Sequence, residues 1–253
     1  MRSPKTILIT GGSSGIGEAL ALEYAASGIR LALTGRDSAR LEAVAGACRA
    51  KGAEVVAGLV DVRDAAAMRR WIEAEDDKTP FDLVIANAGV SREGLQNLDQ
   101  EARLRHVYAT NVEGVFNTVI PALDRMRARR RGQVAIMSSL SSFRGMPGRV
   151  AYSSGKAAIR AYGEGLRGEV EAEGLEVSVI CPGYVRRRLP EQRRFRKPFL
   201  MDAERAAKII RRGLARNAQR IAFPFPAYFF MWLAAAMPAF IGDRMIRLLP
   251  RPG

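Results

Sequence analysis

The stretch "KTILITGGSSGIG", Lys5 to Gly17, decides the fold. Its first half is a short continuous run of apolar and β-branched residues, the pattern of a strand buried on both faces. Its second half is a glycine-rich turn, from which "GEALALEYAASG" continues with helical spacing. A buried strand that passes through such a turn into a helix opens a βα unit, and the rest of the chain repeats the unit. Apolar runs recur at "IRLALTG", "EVVAGLVDV", "FDLVIANAG", "GQVAIMSS" and "LEVSVICPG", with a short last one at "RIAFPF". Helical stretches such as "SARLEAVAGACRAKG" and "LRHVYATNVEGVFNTVIPALDRMRARR" lie between them. This alternation predicts a parallel sheet covered on both sides. With right-handed crossovers it becomes a doubly wound α/β sheet of about seven strands.

In open sheets of this kind ligands bind beyond the carboxyl ends of the strands. Unusual residues collect there: "TGGSSGIG", "TGRD", "VDV", "ANAG", "MSSLSS" and "CPGYV" end the first six runs. In the first, Gly11, Gly15 and Gly17 allow a tight turn and close backbone approach. Helix N-terminal amides can then bind a phosphate. The glycine spacing is not G-x-G-x-x-G, so the turn alone is a weak signal. A second constellation, "AYSSGKAAIRAY" from Ala151 to Tyr162, sets Tyr152 four residues before Lys156 on one helix face. A free phenol has a pKa of about 10, too high for ready proton exchange at neutral pH. A neighbouring ammonium favours the phenolate and brings the group toward the range useful for general acid–base work.

The glycine turn, "ANAG" and the Tyr-x-x-x-Lys pair together resemble the short-chain dehydrogenase/reductase family. Its TGxxxGxG turn matches Thr10 to Gly17, and its NNAG element matches Ala86 to Gly89, with Ala86 replacing the first asparagine. Its YxxxK matches Tyr152 to Lys156. The resemblance runs from Lys5 to about Val185 and implies a single Rossmann-like catalytic domain over 1–220, with a substrate loop near 186–201. Residues 221–253 then add the last strand and an apolar helical segment to the same domain. The family tetrad falls on Asn111, Ser139, Tyr152 and Lys156. Ser139 would donate to a substrate carbonyl, Asn111 would anchor a proton-relaying water through its side chain, and Lys156 would also bind the cofactor ribose. Ser138, Ser141 and Ser142 are close neighbours; the spacing to Tyr152 selects Ser139. Cofactor contacts implied by the resemblance are Gly11, Ser13, Ser14, Gly15, Ile16, Gly17, Arg36, Asp61, Asn87, Gly89, Tyr152, Lys156, Pro182, Gly183 and Val185. Asp61 either meets the adenine or N-caps the next helix, and it can do both.

An acid after the second strand suits the free ribose of NAD, whereas an arginine suits the 2′-phosphate of NADP. Here Gly35 stands where NAD-using relatives carry the acid, and Arg36 follows, so NADP(H) is the expected cofactor. The counter-reading makes Asp37 the ribose acid and turns Arg36 to solvent. Where the family often places a threonine after "CPGYV", this chain has Arg187, followed by the basic and apolar stretch "LPEQRRFRKPFLM" with Phe195, Phe199, Leu200 and Met201.

Composition narrows the remaining classes. With 48% apolar and 26% charged residues, the chain is globular rather than disordered. One histidine and two distant cysteines, Cys48 and Cys181, give no metal-ligand spacing and no disulfide pattern, so no metal is expected. No N-terminal signal segment is evident, and a reducing cytoplasmic setting is the simplest expectation. The net charge is +14, and 16 of the 40 Lys and Arg, against four of the 26 Asp and Glu, fall between Pro182 and Gly253. No nucleic-acid recognition motif accompanies that charge, so nucleic acid is not the expected partner.

The uncharged run "IAFPFPAYFFMWLAAAMPAFI", Ile221 to Ile241, is interrupted by Pro224, Pro226 and Pro238. Its proline-free part, Ala227 to Met237, would rise about 16 Å as a helix, short of a hydrocarbon core of about 30 Å. Two fates are open to it. It packs over the substrate cleft or a partner subunit, or 227–250 rests peripherally on the inner face of a membrane. Tyr228, Trp232, Arg220, Arg244, Arg247 and Arg251 would then lie at the headgroups. Either fate suits an NADPH-dependent reductase of a bulky apolar, lipid-like ketone. The alternatives are an NADP-dependent dehydrogenase of a polar alcohol or sugar and a non-catalytic cofactor sensor. Family resemblance also implies a homo-oligomer, a dimer built on the helices around Asn111 and after Tyr152.

Overall fold

The computed structural model describes residues 3–91, 95–186 and 199–249. The strands are β1 (Thr6–Thr10), β2 (Arg30–Thr34), β3 (Glu54–Gly58), β4 (Leu83–Ala86), β5 (Gly132–Met137), β6 (Leu175–Pro182) and β7 (Arg220–Phe223). They form one parallel sheet in the order β3-β2-β1-β4-β5-β6-β7, so the strand order reverses between β1 and β4. Every residue of β1, β2, β4 and β5 is buried, which is why these strands read as unbroken apolar runs. The pleat sends neighbours to opposite layers. Ile7 and Ile9 pack with Leu20 of α1 (Gly15–Tyr24), Leu41 of α2 (Ser38–Arg49) and Ile210 of α7 (Ala203–Ala215). Leu8 packs with Met68 and Ile72 of α3 (Ala65–Lys78), Val119 of α5 (Gly114–Ala128) and Ile159 of α6 (Val150–Val170).

The single long helix expected across Leu104–Arg130 is divided. It consists of α4 (Gln100–Tyr108), one π-helical turn (Ala109–Glu113) and α5. Asn111 therefore sits in the π turn rather than in a regular helix.

Three aspartates cap helices; Asp99 accepts from the Ala102 amide at 2.8 Å to start α4. Asp37 accepts from the Arg40 amide at 2.9 Å to start α2, and Asp64 accepts from the Ala67 amide at 2.9 Å to start α3. The expectation that Asp61 caps that helix is thereby corrected: α3 begins at Ala65, three residues too late for Asp61. Asp61 instead pairs with Arg63, Nη2 to Oδ2, at 2.6 Å.

Beyond β7 the apolar segment forms two helices, α8 (Phe225–Ala236) and α9 (Ala239–Arg247). Pro226 is tolerated in the first turn of α8, where its missing amide donor would have no partner. The helix thus starts two residues ahead of Ala227. Pro238 ends the extended joint that opens α9. No helix among the described residues is long and apolar enough to cross a membrane. Of the substrate-loop stretch, Arg187 to Pro198, including Phe195, lies outside the described residues. Phe199 is exposed and Met201 buried. The base of that loop is fixed, since Val185 bridges Met201 and the Arg186 amide donates to the Met201 carbonyl at 2.8 Å.

Candidate active site

The site is built where the strand order reverses. β1 delivers Thr10, whose buried Oγ1 accepts the amides of Asn87 at 3.1 Å and Ala88 at 3.2 Å. Asn87 returns the contact through Nδ2, which donates to the Thr10 carbonyl at 2.9 Å and the Gly11 carbonyl at 3.3 Å. The end of β4 is thus fastened to the glycine turn, and the Asn87 amide is the fastener. Gly11 and Gly15 have φ of 67° and 58°, the left-handed region that favours glycine. A methyl group at Gly17 would collide with the Gly11 carbonyl and Asn87 Nδ2, so only glycine lets α1 approach this closely. At Gly15 the opposite holds: nothing lies within 4 Å of where a Cβ would stand. Ser14 precedes α1 in extended conformation without a side-chain cap, so no hydroxyl from that position competes for the first-turn amides. An open cradle at an uncapped helix N-terminus fits a dinucleotide pyrophosphate.

At the end of β2, Gly35 is buried and a Cβ there would lie 3.1 Å from Ser13 Oγ. Arg36 is exposed and makes no ion pair among the described residues. Its neighbours are committed. Arg40 pairs with Asp37 at 2.7 Å, and Arg63 pairs with Asp61. The Asp61 carboxyl is held below the usual range by the Arg63 hydrogen bond and, to a lesser degree, by the charge of Arg36. Among the described residues Arg36 is therefore an uncommitted cation at this edge, near enough for its charge to act on Asp61.

At the other end, Lys156 is 3% exposed and its Nζ donates to the Met137 carbonyl at 2.6 Å. Burial pushes its pKa down to about 8. The Lys156 ammonium stands 5.9 Å from the Tyr152 ring centroid, one turn away on α6. A Cβ at Gly89 would lie 3.2 Å from Asn111 Oδ1 and 3.4 Å from Lys156 Nζ, so these three residues meet at one point. Both amide atoms of Asn111 are occupied: Oδ1 accepts from the Val90 amide at 2.8 Å, and Nδ2 donates to the Val90 carbonyl at 2.9 Å. Each amide atom keeps capacity for one further hydrogen bond, so the expected water-anchoring role stays a proposal. The two bonds pin the segment after β4 against the π turn.

The two serines after β5 differ in the same way. Ser138 Oγ donates to the Lys156 carbonyl at 2.8 Å and fastens α6 to β5. Ser139 Oγ lies 3.5 Å from the Pro182 carbonyl, a weak contact, and accepts from the Ser141 amide at 3.2 Å. The Ser139 hydroxyl proton is the more loosely held of the two. Pro182 ends β6, the Gly183 amide donates to the Phe223 carbonyl at 2.7 Å, and Val185 lies in the bridge to Met201. Tyr184 carries the Arg149 guanidinium 5.3 Å from its ring centroid, three residues before Tyr152 in sequence. Sequence reasoning did not reach Thr10 Oγ1, Val90, the Met137 carbonyl or the Arg149–Tyr184 stack. Thr10 was visible as the first residue of the glycine motif. The others act through backbone or through tertiary contact and leave no local signal.

A parallel sheet of this order with a phosphate cradle at its switch point defines a doubly wound nucleotide-binding fold. The chain belongs to the short-chain dehydrogenase family, oxidoreductases that use a nicotinamide cofactor; the family model described as short chain dehydrogenase matches residues 5–196. An uncharacterized oxidoreductase of Myxococcus xanthus (strain DK1622) is 36% identical over 252 residues, 99% of this chain and 94% of that protein. Oxidoreductase UcpA of Salmonella typhimurium is 36% identical over 190 residues, 74% of this chain and 72% of its own. Among solved structures, a short-chain dehydrogenase from Sphingobium yanoikuyae in complex with NADPH superposes with a TM-score of 0.78 at 24% identity. That superposition covers 87% of this chain and 88% of the other.

Proposed function

We propose that this chain is an NADP(H)-dependent reductase of a bulky apolar, lipid-like ketone, working from the cytoplasm. The observation that carries the reading is the buried Lys156 ammonium, held against the Met137 carbonyl one turn from Tyr152. Bound NADPH supplies the hydride, and the same residues serve the reverse oxidation. Tyr152 gives its phenolic proton to the carbonyl oxygen, and the Lys156 charge favours the phenolate left behind. Ser139, whose hydroxyl is weakly engaged, donates a hydrogen bond to the same oxygen. Asn111 is a positioning residue that holds Gly89 and Val90 beside Lys156. Arg36 and Ser13 take the 2′-phosphate. This is supported by Gly35 in place of an acid and by the commitment of Asp37 to its helix cap. An apolar substrate is supported by Leu140, adjacent to Ser139, which packs in one cluster with Met231 and Ile246 of the C-terminal helices. A homodimer through α5 and α6 completes the proposal; Ile120 and Val150 are exposed there.

The test is NADPH consumption by the purified protein on matched ketones of increasing acyl length, with Tyr152→Phe as control. Activity that climbs with chain length and vanishes in the variant is expected. Preference for short polar carbonyls would overturn the substrate class. Dinucleotide binding without turnover in either direction would leave a cofactor sensor.

A further inference from the structure

The two C-terminal helices carry apolar surface on both sides. Inward, Met231 and Ala234 of α8 and Ile246 of α9 join Leu140, Val179 and Cys181 in a buried cluster. Outward, Phe225, Phe229 and Trp232 are 71%, 50% and 46% exposed. They follow i, i+4, i+7 spacing on one face of α8. Their rings stack in succession, with centroids 6.2 Å and 6.1 Å apart. On α9 Phe240 is 76% exposed, Leu248 just past its end is 77% exposed, and Arg244 and Arg247 are exposed with them. Single exposed apolar side chains are ordinary, but a stacked aromatic row marks a surface that meets something else.

Charge selects what it meets. From Phe225 to Leu249 the only acid is Asp243, and its carboxylate is bound by Arg144 at 2.8 Å and 3.2 Å. The two helices thus carry exposed arginines and no uncommitted carboxylate of their own. A second copy meeting it about a two-fold axis would set arginine against arginine, in a chain that already carries +14. Anionic lipid headgroups complement the same arginines, each contributing near the surface. The 12 residues of α8 rise only about 18 Å, so the helix lies along a bilayer rather than through it. An uncharged aromatic helix followed by an arginine-bearing one is the composition of an element in the interfacial plane, where tryptophan is at home.

We propose that α8 and α9 form an interfacial anchor that seats the protein on an anionic membrane surface. The assignment is independent of the substrate, because it rests on the outer face of these helices and on charge alone.

Co-sedimentation of the full chain with vesicles of phosphatidylcholine, with and without about one third phosphatidylglycerol, tests it. Binding to the anionic vesicles is expected, weakening with salt and accompanied by a blue shift of tryptophan emission. Trp232→Phe abolishes the shift, since Trp71 remains as the silent control. Replacing Phe225, Phe229 and Trp232 together by serine lowers vesicle affinity at least about tenfold while circular dichroism stays unchanged, because the three side chains are exposed. Arg244→Gln and Arg247→Gln each lower it about fivefold. Absence of binding overturns the proposal, as does equal binding to neutral vesicles or binding that survives loss of all three rings. Concentration-dependent self-association that the triple variant abolishes, without vesicle binding, would assign the face to a second copy instead.

Discussion

Lys156→Met removes an ammonium group while keeping an unbranched side chain of similar length, and it isolates the effect of burying that charge. In the unfolded chain the group titrates near 10.5; burial brings it down to about 8 in the fold. Below pH 8 the ammonium is charged in both states, and its desolvation destabilises the fold by about 3 kcal/mol, from roughly 1.4 kcal/mol per pKa unit. As pH rises from 8 to 10.5, the folded state releases the proton before the unfolded state does. The penalty then fades and the fold gains stability. Between pH 7 and 9.5 that gain amounts to about 2 kcal/mol. Urea unfolding of the cofactor-free protein at both pH values, beside the same measurement on Lys156→Met, reads it directly. Both measurements are made in a Tyr152→Phe background, which removes the phenol that the ammonium shifts. Burial pushes Cys181 up to about 11, beyond the window, and groups distant from Lys156 cancel in the difference.

The offset at pH 7 alone is less informative. The variant also leaves the Met137 carbonyl without its 2.6 Å donor, a loss of about 1–3 kcal/mol that opposes the gain. The pH slope is free of that term. The protein that keeps Lys156 should gain about 2 kcal/mol over the variant across the window. Parallel slopes would show that the ammonium is not desolvated in the fold, and the account of Lys156 as a charge held poised near neutrality would fail.

Arg36→Ala should raise the KM for NADPH about 10- to 100-fold and leave NADH unchanged, the loss of one charge-assisted phosphate contact; an equal rise for both would refute the 2′-phosphate role. Asp37→Ala should lower stability by about 1 kcal/mol through the lost cap without changing the NADPH-to-NADH ratio, measured by melting and by initial rates. Gly17→Ala forces a methyl group onto the Gly11 carbonyl and should destabilise by about 2 kcal/mol or more and abolish dinucleotide binding in a titration. Gly89→Ala presses on Asn111 Oδ1 and Lys156 Nζ at once; kcat should fall at least about tenfold with a stability change under about 1 kcal/mol.

Much of the sheet is legible in the chain because its central strands are buried on both faces, so each is one apolar run with no alternation to misread. The glycine turn is legible for a related reason, since backbone approaches as close as that of Gly17 to Gly11 leave room for no other residue. The π turn is not legible. "ATNVE" suits an α-helix equally well, and nothing local announces the two hydrogen bonds between the Asn111 side chain and the backbone of Val90, distant in sequence, that accompany the turn. Asp61 and Asp64 are equally good caps on paper, and only the start of α3 at Ala65 separates them. The end of the chain was half legible. Its prolines exclude a spanning helix, but whether Phe225, Phe229 and Trp232 face inward or outward depends on which side of α8 meets Leu140 and Cys181.

Lys156 shows how these parts depend on one another. A lysine in the middle of a helix normally reaches water, so keeping this one dry requires every neighbouring surface to be closed. Ser138 draws the α6 backbone onto β5 through the Lys156 carbonyl, bringing the side chain under the sheet end. Asn111 holds Gly89 and Val90 across the top, and the π turn is what brings its amide to the backbone of Val90. Gly89 leaves room for the ammonium and for Asn111 Oδ1, which lie 3.4 Å and 3.2 Å from where a Cβ would stand, by having no side chain of its own. Thr10 and Asn87 then tie that same segment to the glycine turn, so the phosphate cradle and the lysine pocket share one rigid wall. A change at either end moves the other, which is why Gly89→Ala should disturb turnover without unfolding the protein, while Gly17→Ala should do both.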